Sequence, residues 1–114
     1  AIVNTMSSIV WMGEDRRVAY QAAKAGLYGL TRHTATVGGK HGVRCNSVAP
    51  GVILTRAALS ATTEEYREGI LASLRSPRLG VPEDLAAMVA FLFSDDGAYV
   101  NGQTILVDGG ANFT

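Results

Sequence analysis

The stretch SSIVWMGEDRRVAYQAAK occupies residues 7–24, and the interpretation of the whole chain depends on it. Within it, Tyr20 and Lys24 are four residues apart, so on a helix that starts near Val18 they lie on one face, one turn from each other. An ammonium beside a phenol favours the phenolate, because opposite charge stabilises the ionised form. The pair is therefore a candidate general acid/base. By itself, the spacing is equally consistent with a solvated pair on a helix face.

A buried strand is predicted immediately before this stretch. Residues 1–6 are largely apolar and partly β-branched, and two serines follow them. Ligands of open parallel sheets bind outside the carboxyl ends of the strands, so a serine at that point is placed to donate a hydrogen bond to a substrate oxygen. Ser7 is the first candidate, and Ser8, one residue out of register, is the alternative.

Two further strands are predicted, each followed by a turn. Residues 42–48 form the second strand, and the turn PGVILT follows at residues 50–55. Proline fixes φ and glycine frees the next residue, so a defined turn forms just past the strand. Residues 103–107 form the third strand, and Asp108-Gly109-Gly110 leads out of it.

Three helices are predicted between and after these strands. The first runs from Val18 to about Lys40 and ends at Gly38-Gly39. The second begins with Thr62 or Thr63 as N-cap and runs to about Leu74, and the third begins at Pro82. Residues 11–17 are predicted to form a loop. The first helix carries small apolar residues that allow close approach to a sheet or a partner helix: Ala19, Ala22, Ala23, Gly26, Leu27, Leu30 and Ala35.

Composition predicts one soluble globular unit. The 114 residues are 47% hydrophobic, with ten basic and ten acidic side chains. Zero net charge gives no electrostatic footprint for nucleic acid or an anionic membrane, and no apolar run is long enough to span a bilayer. A single cysteine, Cys45, fits a reducing compartment. No secretory signal is visible at the start, so a cytoplasmic location is expected. The two histidines, His33 and His41, are too isolated to predict a metal site.

Four motifs occur along the chain in a fixed order. Ser7-Ser8 with Tyr20 and Lys24 comes first, and three segments follow: NSVAPGVILT at residues 46–55, RLGVPED at 78–84 and VDGG at 107–110. This order resembles the short-chain dehydrogenase/reductase family. The resemblance implies an α/β fold, namely the C-terminal portion of a Rossmann-like doubly wound parallel sheet, with three strands and about three helices. Residues 1–114 are then the C-terminal catalytic half of a single NAD(P)-binding domain, without its N-terminal glycine-rich half.

The family resemblance also implies an activity and a set of site residues. The activity is NAD(P)-dependent interconversion of an alcohol and a carbonyl by hydride transfer. Tyr20 is the general acid/base, Lys24 assists it and holds the nicotinamide ribose, and Ser7, at the usual family spacing from Tyr20, hydrogen-bonds the substrate oxygen. The cofactor, NAD or NADP, is expected to contact the following residues: Tyr20, Lys24, Pro50, Gly51, Val52, Ile53 and Thr55. No metal is expected.

Partners and alternatives follow from the same resemblance. The expected partner is a small-molecule alcohol or carbonyl substrate, with neither nucleic acid nor membrane. A homodimer or homotetramer is expected, assembled through the long helix and the last strand. Residues 56–76 correspond to the family's mobile lid over the substrate. One alternative is a non-enzymatic fragment that acts only as a folding or subunit-interface unit. Another is a sugar-nucleotide epimerase, which shares Tyr-x-x-x-Lys, although the Pro50-Gly51 and VDGG motifs favour the simple dehydrogenases.

Overall fold

The computed structural model describes residues 1–13 and 15–113 and contains one parallel sheet. Its strands are β1 (Ile2–Thr5), β2 (Cys45–Pro50) and β3 (Thr104–Val107), in the order β1-β2-β3. Ser47 of the central strand pairs with Asn4 of β1 and Thr104 of β3. The parallel strands and the helices between them confirm the predicted α/β class. The second strand was predicted at residues 42–48 and lies further along the chain.

Five α-helices and two 3₁₀ turns connect the described strands. The helices are α1 (Ile9–Met12), α2 (Val18–Gly38), α3 (Arg56–Ala61), α4 (Glu64–Ser73) and α5 (Pro82–Phe93), and the turns are Gly39–His41 and Asp95–Gly97. Helices α1 and α3 were not predicted. The prediction of a loop over residues 11–17 is wrong for Trp11 and Met12, which belong to α1, and Glu14 lies outside the described residues.

Side-chain caps explain two of the shorter helices. The Thr63 hydroxyl accepts a hydrogen bond from Tyr66 N at 3.2 Å and caps α4, which decides between the two candidate N-caps. Thr55 caps α3 in the same way, through Ala58 N at 3.1 Å. Such caps satisfy backbone N–H groups that a helix leaves without partners. They allow α3 to form where the sequence alone shows little apolar periodicity.

The central strand is buried along most of its length, although two of its side chains are polar. Residues 45–49 are all buried. The Asn46 side chain donates to Val100 O at 2.8 Å and accepts from Gln103 N at 2.9 Å. The Ser47 and Thr104 hydroxyls are 2.6 Å apart. Because buried polar groups are costly unless paired, these bonds fix β3 and the segment before it against β2.

Helix α2 packs on β1 and β2 through its buried Thr31 and Ala35, and the Thr31 hydroxyl accepts from Asn4 Nδ2 at 2.9 Å. Most of the small residues on the helix do not take part in this packing against the sheet. Ala35 is buried and Leu27 half-buried, whereas the other five members of the predicted stripe are exposed. A Cβ added at Gly26 or Gly29 would meet nothing within 4 Å among the described residues. Close approach within this chain therefore does not explain these two glycines.

Two classes of feature are missing from the described residues. None of their helices has both the length and the apolar character needed to cross a membrane. They also contain no group of three or more His, Cys, Asp or Glu side chains arranged to hold a metal ion.

Candidate active site

The predicted acid/base pair lies at the carboxyl end of β1. Lys24 Nζ donates a hydrogen bond to Thr5 O at 2.7 Å and lies 5.6 Å from the centroid of the Tyr20 ring. The two side chains therefore share one face of α2, as their spacing predicts. An ammonium has three donors, so the bond to Thr5 leaves Lys24 further hydrogens for a ligand. Thr5 O as an anchor for the lysine was not predicted.

A second cation also lies over the Tyr20 ring. The Arg17 guanidinium carbon is 5.8 Å from the ring centroid, and the residue holds a left-handed backbone conformation (φ 53°) directly before α2. Arg17 was not predicted to be at the site. Because Arg17 precedes the helix and has a left-handed backbone conformation, helical spacing could not have indicated this contact. The Tyr20 side chain remains 42% exposed and so is accessible to a ligand.

The two candidate serines differ in burial. Ser8 is 3% exposed, and its backbone N–H donates to Pro50 O at 3.0 Å, which joins the ends of β1 and β2. Ser7 is half-buried and lies two residues after Thr5, the anchor of Lys24. Its hydroxyl accepts a long bond of 3.4 Å from Ile9 N. Of the two, Ser7 keeps the more accessible side chain, and its contact with substrate stays a prediction.

The turn after β2, residues 50–55, is called the 50–55 loop here. Gly51 N donates to Val107 O at 3.1 Å, and a Cβ at Gly51 would lie 2.7 Å from Asp108 Cβ. Only glycine fits this close approach to the end of β3. Further along, Leu54 N donates to Gly80 O at 2.8 Å, and Ile53 pairs with Gly80 as an isolated parallel bridge. The loop is therefore held from two sides.

Thr55, at the end of this loop, has a structural role that was not predicted. Its hydroxyl oxygen accepts from Ala58 N as the N-cap of α3. A hydroxyl carries one donor as well as its acceptor sites, so the Thr55 O–H remains able to donate to a ligand. The expected cofactor contact of Thr55 is compatible with the cap and stays a prediction, as do those of residues 50–53.

Residues 75–81 form a strap that connects α4 to α5. Arg78 and Asp84 form an ion pair with nitrogen–oxygen distances of 2.7 and 2.8 Å. Hydrogen bonds from the Arg78 guanidinium, and then from Val81 N–H, hold the pKa of the Asp84 carboxyl well below its usual range. The pair therefore stays ionised at neutral pH. No function for this pair was predicted. The signal for it was an aspartate three residues after the N-cap position of a helix that begins with proline.

The turn after β3 supports the other end of the strap. The buried Asp108 carboxylate accepts bonds from Gly110 N and Asn112 N, each at 3.0 Å. This arrangement presents Gly109 O, which accepts from both Arg75 N and Ser76 N at 3.0 Å. Between the strap, the 50–55 loop and the end of β3 lies an open cavity of about 480 Å³. Neither Tyr20 nor Lys24 lines this cavity, so it is separate from the candidate acid/base pair.

The chain is similar to known proteins along almost its whole length. A family profile described as enoyl-(acyl carrier protein) reductase matches residues 1–112. A 7alpha-hydroxysteroid dehydrogenase of Bacteroides fragilis is 49% identical over 109 residues, which are 96% of this chain and 42% of that protein. The chain thus spans less than half the length of this relative.

Solved structures of similar proteins have the same fold, and two of them contain a nicotinamide cofactor. A 4-hydroxyisoleucine dehydrogenase mutant complexed with NADH and succinate matches with a TM-score of 0.90 and 32% identity, over 97% of this chain and 46% of that one. A blue fluorescent protein from a metagenomic library, in complex with NADPH, matches with a TM-score of 0.87 and 38% identity, over 98% and 45% of the two chains. Members of this family use NAD or NADP. The motifs, the fold and these matches together show that the chain belongs to the short-chain dehydrogenase/reductase family.

Proposed function

We propose that the complete protein interconverts an alcohol and a carbonyl compound with NAD or NADP. The observation that carries the proposal is the placement of Lys24, whose ammonium bonds Thr5 O at 2.7 Å and lies over the exposed Tyr20 ring. In a member of this family, that placement gives an acid/base group next to a cation at the carboxyl ends of β1 and β2. Ligands of open parallel sheets bind at such strand ends.

The residues present fit a nicotinamide cofactor at the carboxyl ends of these strands. Lys24 retains hydrogen-bond donors for a ribose hydroxyl after its bond to Thr5. The 50–55 loop lies at the carboxyl end of β2, where its backbone would meet the nicotinamide carboxamide. The Thr55 O–H is still available as a donor. Binding of NADH and NADPH by the structural relatives supports the same assignment.

The mechanism assigns a separate task to each side chain. When bound, the nicotinamide ring accepts or donates the hydride. In the oxidation direction, Tyr20 acts as a phenolate and takes the proton of the substrate alcohol. The Lys24 ammonium stabilises that phenolate electrostatically and orients the ribose. The Ser7 hydroxyl donates to the substrate oxygen and holds it next to Tyr20. In the reverse direction, Tyr20 returns the proton to the carbonyl oxygen.

An oxidation assay of the complete protein tests the proposal. The assay follows NAD(P)H formation with a panel of secondary alcohols, including hydroxysteroids because of the dehydrogenase relative. Cofactor-dependent oxidation of at least one alcohol is expected, with reduction of the matching ketone in the reverse direction. Failure of NADH and NADPH to bind the complete protein would contradict the proposal whatever the panel contains.

The Ser7 assignment predicts a difference between two neighbouring variants. Ser7→Ala is expected to lower kcat by about a hundredfold, because it removes a hydrogen bond to the reacting oxygen. Ser8→Ala is the matched control, since its side chain is buried and its backbone N–H bond to Pro50 O survives the substitution. Both variants are compared by steady-state kinetics. A larger loss at Ser8 would move the role to that residue.

A second candidate is a non-enzymatic folding or interface unit. Among the described residues β1 pairs only with β2, so its other edge carries unpaired backbone groups. This polypeptide alone, without a glycine-rich half, is expected to aggregate and to bind neither NADH nor NADPH. Fluorescence titration and sedimentation of the isolated polypeptide check this, with the complete protein as control. A monodisperse isolated chain that binds cofactor would refute the prediction.

We also propose that the complete protein self-associates through α2. Its outward face exposes Val18 at 80%, Leu30 at 52% and Val37 at 56%, together with small residues that allow close packing. Exposed apolar area of this kind is typical of a subunit contact. We propose a homodimer or homotetramer, and sedimentation of the complete protein as a monomer would contradict it. A cytoplasmic location stays a prediction, to be checked by cell fractionation.

A further inference from the structure

We propose that the Arg78–Asp84 ion pair is a positioning device for the nicotinamide end of the cofactor site, because it holds Gly80 where Gly80 fixes the 50–55 loop. The inference rests on the proposed function, in which that loop contacts the nicotinamide carboxamide. Arg78 and Asp84 are positioning residues, since both act on the cofactor site through Gly80.

The ion pair is a two-pronged contact with a third bond attached. Arg78 Nη1 donates to Asp84 Oδ2 at 2.7 Å and Arg78 Nη2 donates to Asp84 Oδ1 at 2.8 Å. Asp84 Oδ2 also accepts from Val81 N at 2.8 Å, and Arg78 Nη1 donates to Leu79 O at 3.1 Å. Bidentate guanidinium–carboxylate pairs fix direction as well as distance. The residues on both sides of Gly80 are therefore bound to this one pair.

Solvent exposure decides what such a pair contributes. The Arg78 and Asp84 side chains are 59% and 28% exposed. Ion pairs that are this open to water add little to global stability, because solvent screens the attraction. The contribution of the pair is therefore its geometry, the fixed placement of residues 78–81. A loss of the pair should displace this segment while the sheet remains intact.

Gly80 passes that placement on to the 50–55 loop. Its carbonyl accepts from Leu54 N at 2.8 Å, and its backbone pairs with that of Ile53. The two backbones are also closely packed here, because a Cβ at Gly80 would lie 3.3 Å from Val52 O as well as 2.5 Å from the flexible end of the Ile53 side chain. A shift of Gly80 therefore moves Ile53 and Leu54 with it. The other anchor of the loop, Gly51 N to Val107 O, lies at its beginning and does not hold this later part.

Helix α5 is the fixed end of this chain of contacts. Leu92 near its C-terminus is 0% exposed, and the helix packs on β1 and β2. Asp84 lies in its first turn. The route from the core to the cofactor site is thus α5, Asp84, Arg78, Gly80 and the 50–55 loop. It joins the RLGVPED and PGVILT motifs, which are well separated in sequence.

The first test measures ligand binding to the complete protein. Asp84→Asn removes the charge and one prong of the contact. Its dissociation constant for NADH is expected to rise about tenfold, as for loss of a charge-assisted hydrogen bond, whereas that for ADP-ribose should change less than about twofold. ADP-ribose lacks the nicotinamide, so it reports the rest of the site. For an NADP-preferring protein, NADPH and 2′-phospho-ADP-ribose replace this pair of ligands. Equal weakening of both ligands, or no weakening of the nicotinamide-containing one, would overturn the inference.

The second test needs no cofactor. Amide hydrogen exchange at Leu54, which donates to Gly80, is expected to become at least about tenfold faster in Asp84→Asn. Exchange at Ser47, which donates to Gln103 O inside the sheet, should remain unchanged and so shows that the fold is intact. Arg78→Lys keeps the charge but loses the planar fork, and should also speed exchange at Leu54. Glu83→Gln is the matched control, because it removes one charge from the same helical turn.

The two tests separate the inference from the proposed function. Unchanged exchange at Leu54 in Asp84→Asn overturns the positioning role whether or not a cofactor binds. If the unaltered complete protein binds neither the nicotinamide cofactors nor their ADP-ribose counterparts, the proposed function fails and the cofactor half of the inference fails with it. Faster exchange at Leu54 in that case would still establish the mechanical link from Asp84 to the loop.

Discussion

Tyr20→Phe is expected to lower kcat of the complete protein by at least about a hundredfold, or about 2.7 kcal/mol of transition-state stabilisation, with little change in cofactor affinity. Only the hydroxyl transfers a proton, and the substitution removes nothing else. The phenylalanine ring keeps the surface over which Lys24 and Arg17 lie at 5.6 and 5.8 Å. Steady-state kinetics and a cofactor titration check the two halves of this expectation.

Tyr28→Phe provides a matched control on the same helix. Tyr28 is 40% exposed, and a cation lies over its ring as well, with the Arg32 guanidinium carbon 5.2 Å from the centroid. Its hydroxyl accepts from Arg32 Nη1 at 2.6 Å, so the control also removes a hydroxyl that has a partner. Turnover of this variant should match that of the unaltered protein. If Tyr20→Phe keeps more than a tenth of normal kcat, Tyr20 is not the proton donor.

Lys24→Ala is expected to damage turnover and cofactor binding together. Loss of the ammonium removes the charge beside Tyr20 and the proposed donor to the ribose. We expect kcat to fall by about a hundredfold and the dissociation constant for NAD(P)H to rise about tenfold. The bond to Thr5 O is also lost, but Thr5 is exposed and water can replace the donor, so the fold should survive. Circular dichroism and thermal unfolding check that last point.

Lys40→Ala is the natural control for this variant. Lys40 is the only other lysine of the chain and lies exposed in the 3₁₀ turn that follows α2. Its loss changes the net charge by the same amount, at a position beyond the opposite end of α2 from the site. A Lys24→Ala protein that loses activity while keeping its cofactor affinity would leave the electrostatic role intact and remove the ribose role.

Much of this site could be predicted because its signals are local. Four-residue spacing puts Tyr20 and Lys24 on one helical face, and the carboxyl-end rule for parallel sheets brings Ser7 to the same edge. The Pro50-Gly51 turn follows from backbone chemistry, and the structure adds the reason for its glycine, the approach of Asp108. The Tyr20–Lys24 spacing and the Pro50-Gly51 turn each depend on residues within one helical turn or one loop, so they could be predicted without knowledge of tertiary contacts.

The parts that could not be predicted depend on contacts between distant segments. The Lys24 anchor is a backbone carbonyl, which any residue at position 5 would supply. The pairing of Ile53 with Gly80 joins two segments that each look like ordinary turns. Helix α1 is a single turn without side-chain capping, and α3 depends on a cap whose threonine is also expected to contact cofactor. Nothing in apolar periodicity indicates either helix.

Helices α3 and α4 form a segment in which each helix is capped by the threonine that precedes it. Neither helix contains a fully buried residue. The segment is attached to the rest of the molecule at its two ends, by the 50–55 loop and by the bonds of Arg75 and Ser76 to Gly109 O. Its interior is therefore free to diverge in sequence without disturbing the core or the Tyr20–Lys24 pair. Because the family resemblance implies that this segment covers the substrate, such modularity would let substrate preference drift during evolution, and let it be transplanted by grafting residues 56–74 between relatives, while the proton-transfer machinery stays constant.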